Sequence, residues 1–282
     1  MARAGAANAA AGDLFKHTLY INLESRPDRR AHVEGELRKI KATGERFNAI
    51  KLADGALGCA LSHLRCLQMA KAAGWPQVFI CEDDLTFTHP KLVGIRVKKF
   101  LENISDWDVL IISGNNYPPF TEVKNADCVK VENCQCCTGY IVKQHYYDTI
   151  IQNFKESTAA LAGNLDDRRK YACDIYWKRL QKPGNWFMIS PAVATQRDDY
   201  SDIEKRNVTY SHMMLDVAKK DYLPPGKEFV VLETGETLIV DSAAVAAAAA
   251  ASKGDANRDS LLKSDANRDS LLKDDANPAA GK

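Results

Sequence analysis

Val78, Phe79, Ile80 and Cys81 form a continuous apolar run that ends directly in Glu82-Asp83-Asp84. A run without polar alternation suits a central strand covered on both faces. Such strands belong to α/β sheets, where ligands bind beyond the carboxyl ends of the strands. Three adjacent carboxylates at that edge repel one another, and a fold does not need them. A hard divalent cation offsets the repulsion. Mg²⁺ and Mn²⁺ take oxygen ligands together with waters and substrate phosphates. The competing reading of the triplet is a solvated acidic turn.

The flanking segments supply the rest of such a sheet. Residues 17–23 and 107–113, CTGYIVK and NWFMIS read as buried strands, and Phe47 to Leu52 as a further short one. Residues 28–42 place Val33, Leu37 and Ile40 on one helical face. Residues 63–73 do the same with Leu64, Leu67 and Ala70, with Ser62 as the expected cap. Residues 91–104 and 144–161 read as helices, Asp174 to Leu180 as a helical turn or two, and 116–127 as a loop. Alternation of this kind predicts an α/β fold with a mostly parallel central sheet flanked by helices.

Composition excludes more than it assigns. The 282 residues carry 38 Lys and Arg against 37 Asp and Glu, a net charge of +1. That balance argues against a nucleic-acid-coating protein. No apolar run reaches the roughly 18 residues of a membrane span, which leaves only peripheral membrane contact open. Of the eight cysteines, Cys134, Cys136 and Cys137 are crowded, but no second cluster with zinc spacing partners them. They read as small buried apolar residues, and a reducing cytoplasmic location is expected. Residues 1–14 lack the apolar centre of a secretory leader and are expected to be flexible. Residues 15–241 are expected to form the domain. Residues 242–282, with an alanine run and a repeated DANRDSLLK, are expected to be a flexible tail without chemistry.

Two groups join the acids at the expected ligand edge. Arg26, Arg29 and Arg30 follow the first strand, and guanidinium forks suit phosphate and carboxylate oxygens. Gly55, Gly58, Ser62 and His63 fall near a helix mouth, where N–H groups favour anions. The structural alternatives are a helix-start cation for Arg29, a plain cap for Ser62 and a packed histidine for His63.

Taken in order, YINLESRPDRR, RFNAIK, GCALSH and FICEDD resemble glycosyltransferase family 25. TGYIVKQHYYDTII, ACDIYW and PAVATQRDDYSDI extend the resemblance, which covers about residues 17–212. The family includes bacterial lipopolysaccharide galactosyltransferases and animal collagen galactosyltransferases. The resemblance implies a nucleotide-diphosphosugar-binding fold of the glycosyltransferase A type. It implies a metal-dependent inverting transfer of a hexose, galactose first, from a UDP-sugar donor to a glycan or hydroxylated protein acceptor.

The resemblance also implies roles. Asn22, Leu23 and Arg26 would meet the uracil and ribose, Arg29 the diphosphate, and Ala49 the nucleoside. Ser62 and His63 would face the donor. Asp84 would hold Mn²⁺ or Mg²⁺, with Glu82 and Asp83 on ribose, metal waters or donor sugar. Gln196 would bind donor or acceptor, and His212 would be a late metal ligand against the alternative of a surface histidine. An inverting transfer needs one general base on the acceptor hydroxyl. Asp174 is the first candidate and Asp202 the second, each against the alternative of a cap or turn acid. Trp177, Trp186 and Tyr200 could stack on sugar faces, with core packing as the default. The competing functional class is an inactive sugar-nucleotide-binding or scaffold module. A nucleotidyltransferase ranks last, because ESRPDRR lacks the glycine-rich, lysine-bearing loop that a triphosphate needs.

Overall fold

The computed structural model describes residues 13–219, 226–231 and 237–251. One compact unit ends at Lys219 and a second begins at Lys220. The first half of the first unit runs β1 (Thr18–Asn22), α1 (Pro27–Lys39), β2 (Glu45–Asn48), α2 (Gly55–Ala72), β3 (Gln77–Glu82), β4 (Leu85–Phe87), α3 (Pro90–Asn103) and β5 (Val109–Asn116). Then come β6 (Phe120–Val123), β7 (Cys128–Val131), β8 (Cys134–Lys143) and α4 (Tyr147–Gly163). Three one-turn helices follow, α5 (Arg168–Tyr171), α6 (Cys173–Tyr176) and α7 (Lys178–Gln181). The unit finishes with β9 (Trp186–Ile189), β10 (Ala194–Gln196), β11 (Asp199–Ser201), β12 (Arg206–Val208) and α8 (Ser211–Leu215).

Eight strands form one sheet in the order β2-β1-β3-β8-β5-β9-β7-β6. β8 and β7 run against the other six, so the expected mostly parallel α/β sheet is present. Side chains alternate between its faces as strand geometry demands. Leu19, Ile21, Val78, Ile80, Val109 and Ile111 point to the side of α2 and α4. Tyr20, Phe79, Cys81, Leu110 and Ile112 point to the side of α1 and α3. The sheet is therefore the middle of three layers, and each face has its own core. Trp177 and Trp186 are fully buried and meet edge to face at 5.2 Å, so neither is available to a sugar.

Several local expectations shift. β2 starts at Glu45, and Ala49 to Leu52 lie beyond it as a loop. The segment read as a loop at 116–127 carries β6, paired to β7 at the edge of the sheet. Its partly exposed residues lack the apolar run that marks a central strand. Ser62 does not cap α2. Asp54 does, with its carboxylate accepting from Leu57 N at 2.8 Å. Ser62 sits two turns inside, where its hydroxyl donates to Gly58 O at 2.7 Å and accepts from Ile50 N at 2.9 Å. Leu14, the last residue of the expected flexible N-terminus, is buried in the core.

The second unit contains an antiparallel pair, β13 (Lys227–Val231) and β14 (Thr237–Asp241), with Lys227 and Asp241 ion-paired at 2.8 Å. It continues into α9 (Ser242–Ala251), which forms on the alanine run, inside the segment expected to be a flexible tail. The expected flexibility of residues 1–12 and 252–282 lies outside the described residues.

Candidate active site

The parallel neighbours β2, β1 and β3 end at one edge, with Asn22 opposite Asn48 and Ile21 opposite Glu82. Register alone thus brings Leu23, Ala49 and the acid triplet together. They line a cleft of about 330 Å³. Its far wall comes from much later in the chain. β10 pairs with β4, setting Gln196 opposite Leu85, and the β11–β12 hairpin adds Ser201, Asp202, Ile203 and Lys205.

The acids at the bottom are unequal. Both Asp83 oxygens are engaged, one by Asn22 Nδ2 at 2.7 Å and the other by Arg29 at 3.0 Å. Asp84 Oδ2 accepts from Arg29 at 3.2 Å and from Gln196 Nε2 at 2.8 Å. Asp84 Oδ1 is buried and has no hydrogen-bond partner. Burial and then the Glu82 charge push the Asp84 carboxyl up to about 7, against the pull of Arg29. Burial also raises Asp83, opposed by Asn22 and Arg29. Glu82 goes the other way. Its burial is outweighed by the His63 imidazole at 3.3 Å, and its carboxyl is lowered.

An orphaned carboxylate oxygen at a polar cleft is what a hard cation completes. Asp84 Oδ1 therefore fits a divalent ion that takes its remaining ligands from water and phosphate. The remaining candidates fall in different places. Asn22 is buried, and its side chain is held by Asp83, the Arg26 carbonyl and Arg46, so it positions an acid rather than facing the cleft. Arg26 joins Asp28, Asp199 and Asp202. Arg29 is buried, bonds the Tyr200 carbonyl at 3.0 Å and supplies the positive charge between Asp83 and Asp84. His63 is fully buried behind the cleft, with Nδ1 3.0 Å from the Tyr140 hydroxyl.

Asp202 lines the cleft and pairs with Arg26 at 2.7 Å. Asp174 is half-buried outside the cleft lining and accepts from Cys136 N at 3.1 Å. Burial raises its carboxyl. His212 is exposed on α8. Among the described residues the three-ligand grouping of His, Cys, Asp or Glu is Cys59, His63 and Glu82, which contains neither Asp84 nor His212. Sequence reasoning passed over Cys59, Lys51 and Lys205, all of which line the cleft. Lys51 closes the RFNAIK segment, so its motif was in view without its side chain being assigned.

Gly58 explains itself only in three dimensions. A Cβ there would lie 2.4 Å from the Ile50 carbonyl oxygen, which is backbone and cannot swing away. The glycine lets α2 approach the loop that walls the cleft. Gly58→Ala is expected to cost about 1–3 kcal/mol, the usual penalty of overpacking, read from urea unfolding. An unchanged midpoint would mean that the loop yields freely.

A mostly parallel sheet flanked by helices, with acids at the carboxyl end of a central strand, defines the class as an α/β fold with its ligand edge at the strand ends. Residues 51–165 match the model of glycosyltransferase family 25 (LPS biosynthesis protein), the family that the motifs resemble. No curated protein matches the chain. Among solved structures, one similar chain is a glycosyltransferase involved in the glycosylation of the major capsid of PBCV-1. It is 12% identical, with 70% of this chain and 97% of that chain covered and a TM-score of 0.43. Another is a mannose-1-phosphate geranyltransferase from Thermus thermophilus, 10% identical, with 65% and 74% covered and a TM-score of 0.35. No helix among the described residues is long and apolar enough to cross a membrane.

Proposed function

We propose that the cleft binds a UDP-hexose, galactose first, and that the protein transfers the sugar with inversion to a hydroxyl of a glycan or hydroxylated protein. The observation that carries this reading is the unpartnered, buried Asp84 Oδ1 at the carboxyl end of β3, inside the segment that matches the family. Asp84 would hold Mn²⁺ or Mg²⁺, which would supply Lewis-acid neutralisation of the leaving diphosphate. Leu23 and Ala49 offer apolar and backbone surface to the nucleoside, and Lys51 and Lys205 offer cations to the phosphates. Gln196 orients Asp84 through its 2.8 Å hydrogen bond. Asp174, in the ACDIYW segment that extends the family resemblance, is the proposed general base, with its carboxyl raised by burial. Asp202 is proposed to steer the cleft wall through Arg26.

One observation favours the inactive sugar-nucleotide-binding module instead. Arg29 already places a positive charge against Asp83 and Asp84, where a cation would act. UDP release separates the two readings. Purified protein given UDP-galactose, UDP-glucose or UDP-N-acetylglucosamine is expected to release UDP from one donor with Mn²⁺ and to stop with chelator. Asp174→Asn is expected to lower turnover with acceptor by about 10²-fold or more while UDP binding persists. UDP binding without turnover on any donor, even with a glycan acceptor panel, would favour the module. Neither binding nor release would sink both.

A further inference from the structure

Cys59 and His63 stand one turn apart on α2 and face Glu82 at the end of β3. Cys59 Sγ lies 3.4 Å and His63 Nε2 3.3 Å from the same Glu82 oxygen, and all three ligand atoms fall within 4.8 Å of one another. Tetrahedral zinc, with Zn–S near 2.3 Å and Zn–N and Zn–O near 2.0–2.1 Å, requires sulfur–oxygen and nitrogen–oxygen edges of about 3.5 and 3.3 Å. The side chains already stand at those separations.

We propose that Cys59, His63 and Glu82 form a Zn²⁺ site, distinct from the oxygen-only position at Asp84, with an open coordination position toward the cleft. Donor chemistry separates the two positions. A thiolate and an imidazole select a borderline-soft ion over Mn²⁺ or Mg²⁺. The surroundings fit a ligated histidine. The Tyr140 hydroxyl lies 3.0 Å from His63 Nδ1, and as the acceptor of that N–H it leaves the Nε2 lone pair aimed at the group. Cys59 and Glu82 line the cleft while His63 is sealed behind it, so three ligands come from the protein and the fourth face meets solvent. The competing explanation is a plain buried His63–Glu82 ion pair with a nearby thiol. The zinc inference does not depend on transferase activity.

Co²⁺ replaces zinc and reports its ligands by absorption. The full chain, stripped with chelator and kept reduced, is expected to bind one Co²⁺ with a thiolate charge-transfer band in the near ultraviolet. Zn²⁺ should abolish the band and Mn²⁺ should not. Cys59→Ser should remove the band, His63→Gln should weaken Co²⁺ binding by about 10–100-fold or more, and Asp84→Asn should leave the band in place. A wild-type protein without the band, or a band that survives Cys59→Ser, overturns the site. Should the variants fail to fold, zinc-edge X-ray absorption of the wild type decides alone. One sulfur with nitrogen and oxygen ligands supports the proposal. No sulfur, or two or more, refutes it.

Discussion

Asp84→Asn is expected to abolish Mn²⁺-dependent UDP release while leaving the metal-free fold as stable as before or more so. The activity loss should be at least about 10²–10³-fold, the cost of removing one charge-stabilising group from a reacting centre. The stability effect follows from the sign of the shift. Burial and Glu82 raise the Asp84 carboxyl to about 7, above the roughly 3.9 of an unfolded chain. Between those values the folded state holds the proton that the unfolded state has lost. Stability contributed by this group therefore falls as pH rises from 4 to 7 and stays low above 7. An asparagine keeps an oxygen for Gln196 and removes the charge, and Arg29 keeps Asp83 and Asp199. In chelator, the urea midpoints of variant and wild type should draw apart over that window, with the variant the higher. A variant that loses both activity and stability at pH 8 would make Asp84 a structural anchor and withdraw its metal role.

The second large effect is alkaline lability. Six of the eight free thiols are buried: Cys66, Cys81, Cys128, Cys134, Cys137 and Cys173. Burial holds Cys128 and Cys134 up to about 12 and raises Cys66, Cys81 and Cys137 as well. Cys173 is raised first by its neighbour Cys137, 4.0 Å away. Unfolded thiols ionise near 8.5, so above that pH the unfolded state gains what the folded state refuses. At pH 9.5 each such thiol costs about 1.4 kcal/mol, or about 8 kcal/mol for the set. Lys178 and Lys219, lowered by burial to about 8, act in the opposite sense. Each returns about 2 kcal/mol at that pH, because the unfolded chain still carries the proton. The net loss of about 4 kcal/mol is a large share of ordinary domain stability. Urea titrations in reductant at pH 7.5 and 9.5 should show the midpoint fall steeply. Equal midpoints would mean that these thiols are solvated in the fold.

What the sequence exposed and what it hid differ for physical reasons. The β3 run was readable because a strand covered on both faces leaves no polar position. The acids at its end were readable because they break that run abruptly. Ser62 misled because a serine before an apolar helical face resembles a cap. Its hydroxyl instead bonds back one turn to Gly58, and Asp54 holds the true start. β6 hid because its edge position leaves side chains partly exposed. The engagement of Asn22 and Arg29 with Asp83 was beyond local reasoning, since their partners lie 61 and 54 residues away. The Cys59–His63 spacing was visible, but Glu82 joins them only through the packing of α2 on β3.

The far wall of the cleft, from Gln196 through Lys205, lies outside the segment that carries the family match. It is a short, largely exposed hairpin hung on a three-residue strand. Exposed residues there tolerate exchange at little thermodynamic cost. The acid-bearing strand, locked between two cores, does not. The cleft therefore joins a rigid floor to a wall that can be exchanged at little cost to the fold. Grafting this wall between relatives is expected to change what the cleft admits while leaving the acid-bearing strand in place.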